Sequence, residues 1–140
     1  MKTIVVGVDG SEQATRALQW AADDARVHGA SLRIVSAWRD PVPVGDVGGM
    51  GMVGPDVTDE IETAAHRQLE QQLAQVDVSG LEVERLVVHR QPVDALLEAA
   101  KGADLLVLGA RGHGGLTTLL VGSVSDDCVH RAPCPVVIVR

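Results

Sequence analysis

Short apolar runs alternate with helical periods along the chain. Residues 3–8, TIVVGV, are apolar without a break, as expected of a strand covered on both faces. Ala14, Ala17, Leu18, Ala21, Ala22 and Ala25 then recur at i, i+3, i+4, i+7, i+8 and i+11, one apolar stripe of a helix that Gly29 ends. SLRIVSAW, from Ser31, reads as a second strand. Ile61, Ala64, Ala65, Leu69, Leu73 and Val76 stripe a second helix, closing near Gly80. LEVERLVVH, more mixed in polarity, predicts a third strand at a sheet edge. Val93, Leu96, Leu97 and Ala100 mark a third helix, opened by Pro92 and closed by Gly102. DLLVLG is a fourth strand, Ser123 to about Arg131 a fourth helix, and PVVIV a fifth strand.

Five strands alternating with four helices predict an α/β fold: a parallel sheet with helices on both faces, Rossmann-like. At 140 residues it is expected to form one domain, residues 1–140, with a real core. One segment breaks the rhythm. Arg39 to Asp56 has no period and a Gly-Met-rich middle. A connection this long is either a cover over a ligand or an unstructured insertion.

Composition narrows the partners. Phe and Tyr are absent, so the core must be built from Val, Leu, Ile and Ala. The formal net charge of −7, with no concentrated basic patch, repels phosphate polymers, and nucleic acid is not expected as a partner. Cys128 and Cys134 lack the CxxC spacing of a redox pair and the extra ligands of a metal site, and read as small buried thiols. No stretch approaches the ~20 apolar residues of a membrane span, and the N-terminus lacks the features of a signal peptide. A cytoplasmic protein is expected.

Candidate chemistry gathers at two strand ends. In open parallel sheets, ligands bind beyond the strand carboxyl ends where neighbouring connections diverge. Asp9, Gly10 and Ser11 follow the first strand, and GARGHGGLTTLLVGSVS, from Gly109, follows the fourth. The order 3-2-1-4-5 makes those strands neighbours. Gly109 and Gly112 permit tight turns that bring main-chain N–H groups near a ligand, and such groups converge into an anion site. Gly122 and Ser123 open a helix whose first N–H groups are unpaired. Ser123 and Ser125 add hydroxyls, and Arg111 and His113 lie nearby. The stretch is neither a Walker A loop nor a dinucleotide fingerprint. Plainer readings stand beside these: Ser123 with Asp126 as a helix cap, Asp9 as the cap of the first helix, His113 as a solvated loop residue. Trp38 either fills the core or stacks on a purine.

Gly109, Gly112 and Gly122-Ser123 fit the pattern G-x2-G-x9-G-[ST], and here the chain resembles the ATP-binding universal stress proteins. The likeness runs from IVVGVDGSE to GSVSDDCVHRAPCPVVIVR. It implies ATP, often with Mg2+, at the ends of the first and fourth strands. It places Asp9 by the ribose and phosphates, main chain of Ala37 and Trp38 at the adenine, and Gly109, Gly112 and His113 along the ribose and phosphates. Gly122, Ser123, Val124 and Ser125 would hold the phosphate tail. No catalytic residue and no protein metal ligand is assigned. The resemblance also implies a homodimer, and the apolar last strand at a sheet edge invites one independently. The expected function is a nucleotide-dependent regulatory module that an unidentified protein partner reads. The alternatives are a slow ATPase or phosphotransferase, and a member that binds another adenine nucleotide such as cyclic AMP or none at all.

Overall fold

A computed structural model of the chain describes residues 2–38, 55–110 and 123–140. Its elements run β1 (Thr3–Gly7), α1 (Glu12–His28), β2 (Ser31–Trp38), α2 (Pro55–Leu73), β3 (Val83–His89), α3 (Pro92–Ala99), β4 (Leu105–Gly109), α4 (Ser123–Arg131) and β5 (Val136–Val139). The strands form one sheet in the order β3-β2-β1-β4-β5. Every neighbouring pair is parallel. The α/β class and the mixed-polarity edge strand are those the hydrophobic pattern predicts, and the strand order is the one that makes the first and fourth strands neighbours.

Strand side chains alternate between faces, so each apolar strand feeds two cores. Ile4, Val6, Leu32, Ile34, Leu105 and Val107 meet the alanine stripe of α1 together with Leu69 and Leu73 of α2. Val5, Val35, Leu106 and Leu108 meet Ala95, Leu96 and Ala99 of α3 and Cys128 of α4. The stripe on α1 carries a single large side chain, Leu18, which lets the helix lie close on the sheet. Each Leu or Ile buried this way contributes about 1.5–3 kcal/mol. A core without Phe or Tyr is assembled from many such increments.

Three helix boundaries differ from the pattern. α2 begins at Pro55, so the last two residues of the aperiodic stretch are helical, with proline at the position where its missing N–H is harmless. Residues 39–54 lie outside the described residues. At its other end α2 stops at Leu73, not near Gly80. Gln75 and Val76 donate three residues back, to the carbonyls of Gln72 and Leu73, and the helix tightens out of register. Val76 is therefore buried without being helical. Asp77 then accepts both the amide and the hydroxyl of Ser79, which hold its carboxyl below the ordinary carboxylate range. α3 likewise ends at Ala99, and Gly102, at φ 75°, serves the turn into β4.

Polar ties fix the amino edge of the sheet. Asp104 accepts the N–H groups of Thr3 and Lys2 at 2.9 and 2.8 Å, and these bonds, Thr3 foremost, lower its pKa. The Arg33 guanidinium pairs with Glu84 at 3.2 Å and donates to the Ala99 carbonyl at 2.8 Å, closing the C-terminus of α3. Both cysteines are free thiols. Burial, with help from Asp127, pushes Cys128 up to about 11, which keeps it protonated and inert near neutral pH. Cys134 is only half-buried, less enclosed than the sequence suggests. Among the described residues, no helix is long and apolar enough to cross a membrane.

Candidate functional site

The strand order makes β1 and β4 neighbours, with Val6 level with Val107. On one side of that pair the connection from β1 runs into α1; on the other, the chain returns through α4 to β5. The carboxyl ends of β1 and β4 therefore form the switch point of the sheet.

After β1 the chain makes a compact polar turn. Asp9 Oδ1 accepts the Ser11 N–H at 2.9 Å and the Ser11 hydroxyl at 2.5 Å. This side-chain turn is the local chemistry that favours Asp where a strand gives way to a helix. Gly10 adopts φ 87°, a left-handed conformation that a residue with a Cβ rarely takes. Ser11 then caps α1, its hydroxyl oxygen accepting the Ala14 N–H at 3.1 Å. The cap of the first helix is thus Ser11, and Asp9 orients Ser11 from two residues earlier.

Gln72 of α2 completes the turn. Its Oε1 accepts the Gly10 N–H at 2.9 Å, and its Nε2 donates to the Ser11 carbonyl and to Thr15 Oγ1, each at 2.9 Å. The residue is 2% exposed. Sequence reading missed it, although a signal was present. Gln72 sits between Leu69 and Leu73 on the buried stripe of α2, and a polar residue in an apolar stripe needs a buried partner.

After β4, Gly109 is required by packing. A Cβ built there stands 2.9 Å from both the carbonyl carbon and the oxygen of Gln13, so the first turn of α1 rests directly on the strand end. The close approach that this glycine permits, within the described residues, is helix to strand. The Gly109 carbonyl accepts the Ser125 hydroxyl at 2.7 Å. Ser125 is buried and its proton is committed to that bond, leaving its main-chain N–H as the donor toward any ligand. Ser123 is exposed at the first position of α4, and Val124 is half-buried against the α3–α4 core.

β2 ends at Ala37 and Trp38, level with Val88 and His89 of β3. Trp38 neither fills the core nor leaves both faces open: its ring stacks on His89 with centroids 4.0 Å apart and planes 6° from parallel. Arg111, Gly112, His113 and Gly122 lie outside the described residues. The structure therefore brings Gly109 and Ser125 against the start of α1, which Asp9, Gly10 and Ser11 open.

A concavity of about 350 Å3 lies at the opposite end of the sheet between Arg26, Gly29, Ser79 and Leu81. The Arg26 guanidinium there is already occupied by Asp23, Asp77 and the Ser79 carbonyl.

The model of the Universal stress protein family matches residues 1–140. The chain belongs to this family. A universal stress protein of Thermus aquaticus is 38% identical over 148 residues, covering 99% of this chain and 98% of the relative. A Mycolicibacterium smegmatis universal stress protein, 36% identical, aligns with 98% of this chain over only 45% of its own length. Among solved structures, the universal stress protein UspA from Lactobacillus plantarum has a TM-score of 0.77 at 28% identity, covering 99% of this chain and 97% of the other. A universal stress protein solved in complex with cAMP has a TM-score of 0.70 at 29% identity, with 99% and 97% covered. One from Archaeoglobus fulgidus, in complex with dAMP, has a TM-score of 0.61 at 26% identity, with 100% and 98% covered.

The packing of this universal stress protein domain gives a direct check on Gly109. Gly109→Ala forces α1 away from β4 and is expected to cost about 1–3 kcal/mol, the usual penalty of overpacking. Urea unfolding of the variant measures it; a midpoint equal to wild type would contradict the contact with Gln13.

Proposed function

We propose that the chain is a nucleotide-binding regulatory protein that holds an adenine nucleotide, ATP with or without Mg2+, over the carboxyl ends of β1 and β4. The observation that carries this reading is the convergence of two helix starts on one switch point. The first N–H groups of α1 and of α4 have no carbonyl partners within their helices, and both helix dipoles favour negative charge there. Gly109 joins the two, packed under Gln13 on one side and bonded to Ser125 on the other. Relatives of the same fold in complex with cAMP and dAMP support an adenine nucleotide as the ligand.

In this reading the phosphates meet main-chain N–H groups of Ser123, Val124 and Ser125, together with the loop that holds Arg111, Gly112, His113 and Gly122. The exposed Ser123 hydroxyl adds a donor. Asp9, Gly10 and Ser11 border the ribose, and main chain of Ala37 and Trp38 meets the base. Mg2+, when bound, would neutralise the phosphate oxygens, and Asp9 is the carboxylate on hand to approach its hydration shell. Because Asp9 Oδ1 already orients Ser11, the turn is arranged to shape a binding surface, and binding that a protein partner reads is preferred to rapid turnover.

The proposal extends to a homodimer. β5 is a sheet edge, and Val136, Val137, Ile138 and Val139 are each only half-buried. An apolar edge with unpaired main-chain groups is blunted when a second copy covers it about a twofold axis.

Titration calorimetry with ATP, AMP and cyclic AMP, with and without Mg2+, tests the ligand. ATP is expected to bind, and Gly112→Val to abolish binding by placing a branched side chain where the phosphates approach main chain. Absence of heat with all three nucleotides would contradict the reading. Sedimentation at micromolar concentration tests the dimer: a species of twice the chain mass is expected, and a monomer would remove it.

A further inference from the structure

We propose that Gln72 is a positioning residue for the nucleotide turn, and that through it ligand occupancy is coupled to the seating of α2 on α1. The proposal rests on the nucleotide reading above and adds a route by which binding is felt away from the site.

The argument starts from hydrogen-bond geometry. The carboxamide of Gln72 uses both of its ends: Oε1 takes the Gly10 N–H, while Nε2 serves the Ser11 carbonyl and Thr15 Oγ1. A primary amide can give and accept at once, and here it reads two successive main-chain groups across the bend. Those groups lie in the one segment of the turn with a left-handed residue, Gly10 at φ 87°. That bend is open to alternative conformations in a free chain because glycine has no Cβ. Fixing Gly10 N–H and the Ser11 carbonyl together selects one of them, and with it the direction of the Asp9 carboxylate bonded to Ser11.

The other half of the argument is where Gln72 comes from. Within α2, the buried residues after position 58 are Leu69, Gln72 and Leu73, all in the last two turns. The preceding stretch from Asp59 to Gln68 is exposed or half-buried throughout. Among the described residues, α2 is therefore buried at its C-terminal end, and there Gln72 links it to α1. Gln68, one turn earlier, also reaches the bend: its Nε2 would lie 2.5 Å from a Cβ at Gly10. A ligand that binds only the ordered turn must, by linkage, also favour the state in which these contacts are made.

The test compares wild type with Gln72→Met, which keeps length and removes both hydrogen-bonding ends. Thr15→Val, which deletes a single partner of Nε2, is the milder second variant. Nucleotide affinity, the nucleotide-induced rise in Tm, and amide hydrogen exchange across Leu69–Val76 are measured with AMP and ATP. In wild type, nucleotide is expected to slow exchange in that stretch. Gln72→Met is expected to lower affinity about tenfold, as loss of the part-buried bond to the Gly10 N–H and of one of the bonds to the Ser11 carbonyl implies, and to abolish the slowing. Thr15→Val should fall between the two. A merely structural glutamine would lower Tm equally with and without nucleotide and leave affinity unchanged, and that result overturns the proposal. Should Gln72→Met fail to fold, wild-type affinity in Thr15→Val together with exchange at Leu69–Val76 indifferent to nucleotide in wild type overturns it as well. Wild type that binds no nucleotide sinks the site reading and this proposal together; wild type that binds while both variants match it sinks this one alone.

Discussion

The parallel pairing of β1 with β4 is the constraint on which the rest depends. The chain builds outward from β1 in one direction through β2 and β3, then returns and builds the other way through β4 and β5, and right-handed crossovers put the helices of the two halves on opposite faces. The two halves diverge at a single place, the carboxyl ends of β1 and β4. There α1 and α4 start, and Gly109 is the residue they share: it lies beneath the main chain of Gln13 and accepts the hydroxyl of Ser125. Any side chain at that position separates the two helix starts. The alanine stripe of α1 serves the same end, because a helix with larger residues on that face would stand off the sheet and lift its first turn away from β4.

The electrostatic character of the site follows from this economy of side chains. The chain carries a net charge of −7 and no lysine between Gly109 and Ser125. In the proposed site, attraction for an anion comes from oriented main-chain N–H groups and helix starts, which act at hydrogen-bond range and carry no net charge, with Arg111 the one formally charged cation in the stretch. Such a site discriminates by shape more than by long-range steering. The Asp9–Ser11–Gln72 network is what gives the β1 end its shape, since Asp9 holds Ser11 and Gln72 holds both Gly10 and Ser11.

How much of this was legible in the sequence depends on the range of the interaction involved. Strand and helix identities and the Gly29 cap follow from local periodicity and from glycine, while the sheet order follows from requiring the loops after the first and fourth strands to share one pocket, and the structure agrees with each. The end of α2 was misplaced because Val76 continues the apolar period after the backbone has left the helix; burial persisted where helicity did not. Ser125 reads locally as a hydroxyl donor for a ligand, and only the pairing across sixteen residues shows that Gly109 receives it. Gln72 was missed for the same reason: its three partners are fifty-seven or more residues away. Trp38 offered two local readings, and the structure adds what neither held, a stack of one ring face on His89 across the β2–β3 pair.

The central claim is that amides at the ends of β1 and β4 receive the ligand. Amide chemical-shift mapping with 15N-labelled protein and AMP measures this most directly. The account predicts perturbations at Asp9, Gly10, Ser11, Ser123, Val124 and Ser125, and none at Arg26, Ser79, Gly80 or Leu81 at the opposite end of the sheet. Shifts confined to that opposite concavity, with the amides around Gly10 and Ser123 unmoved, would contradict it.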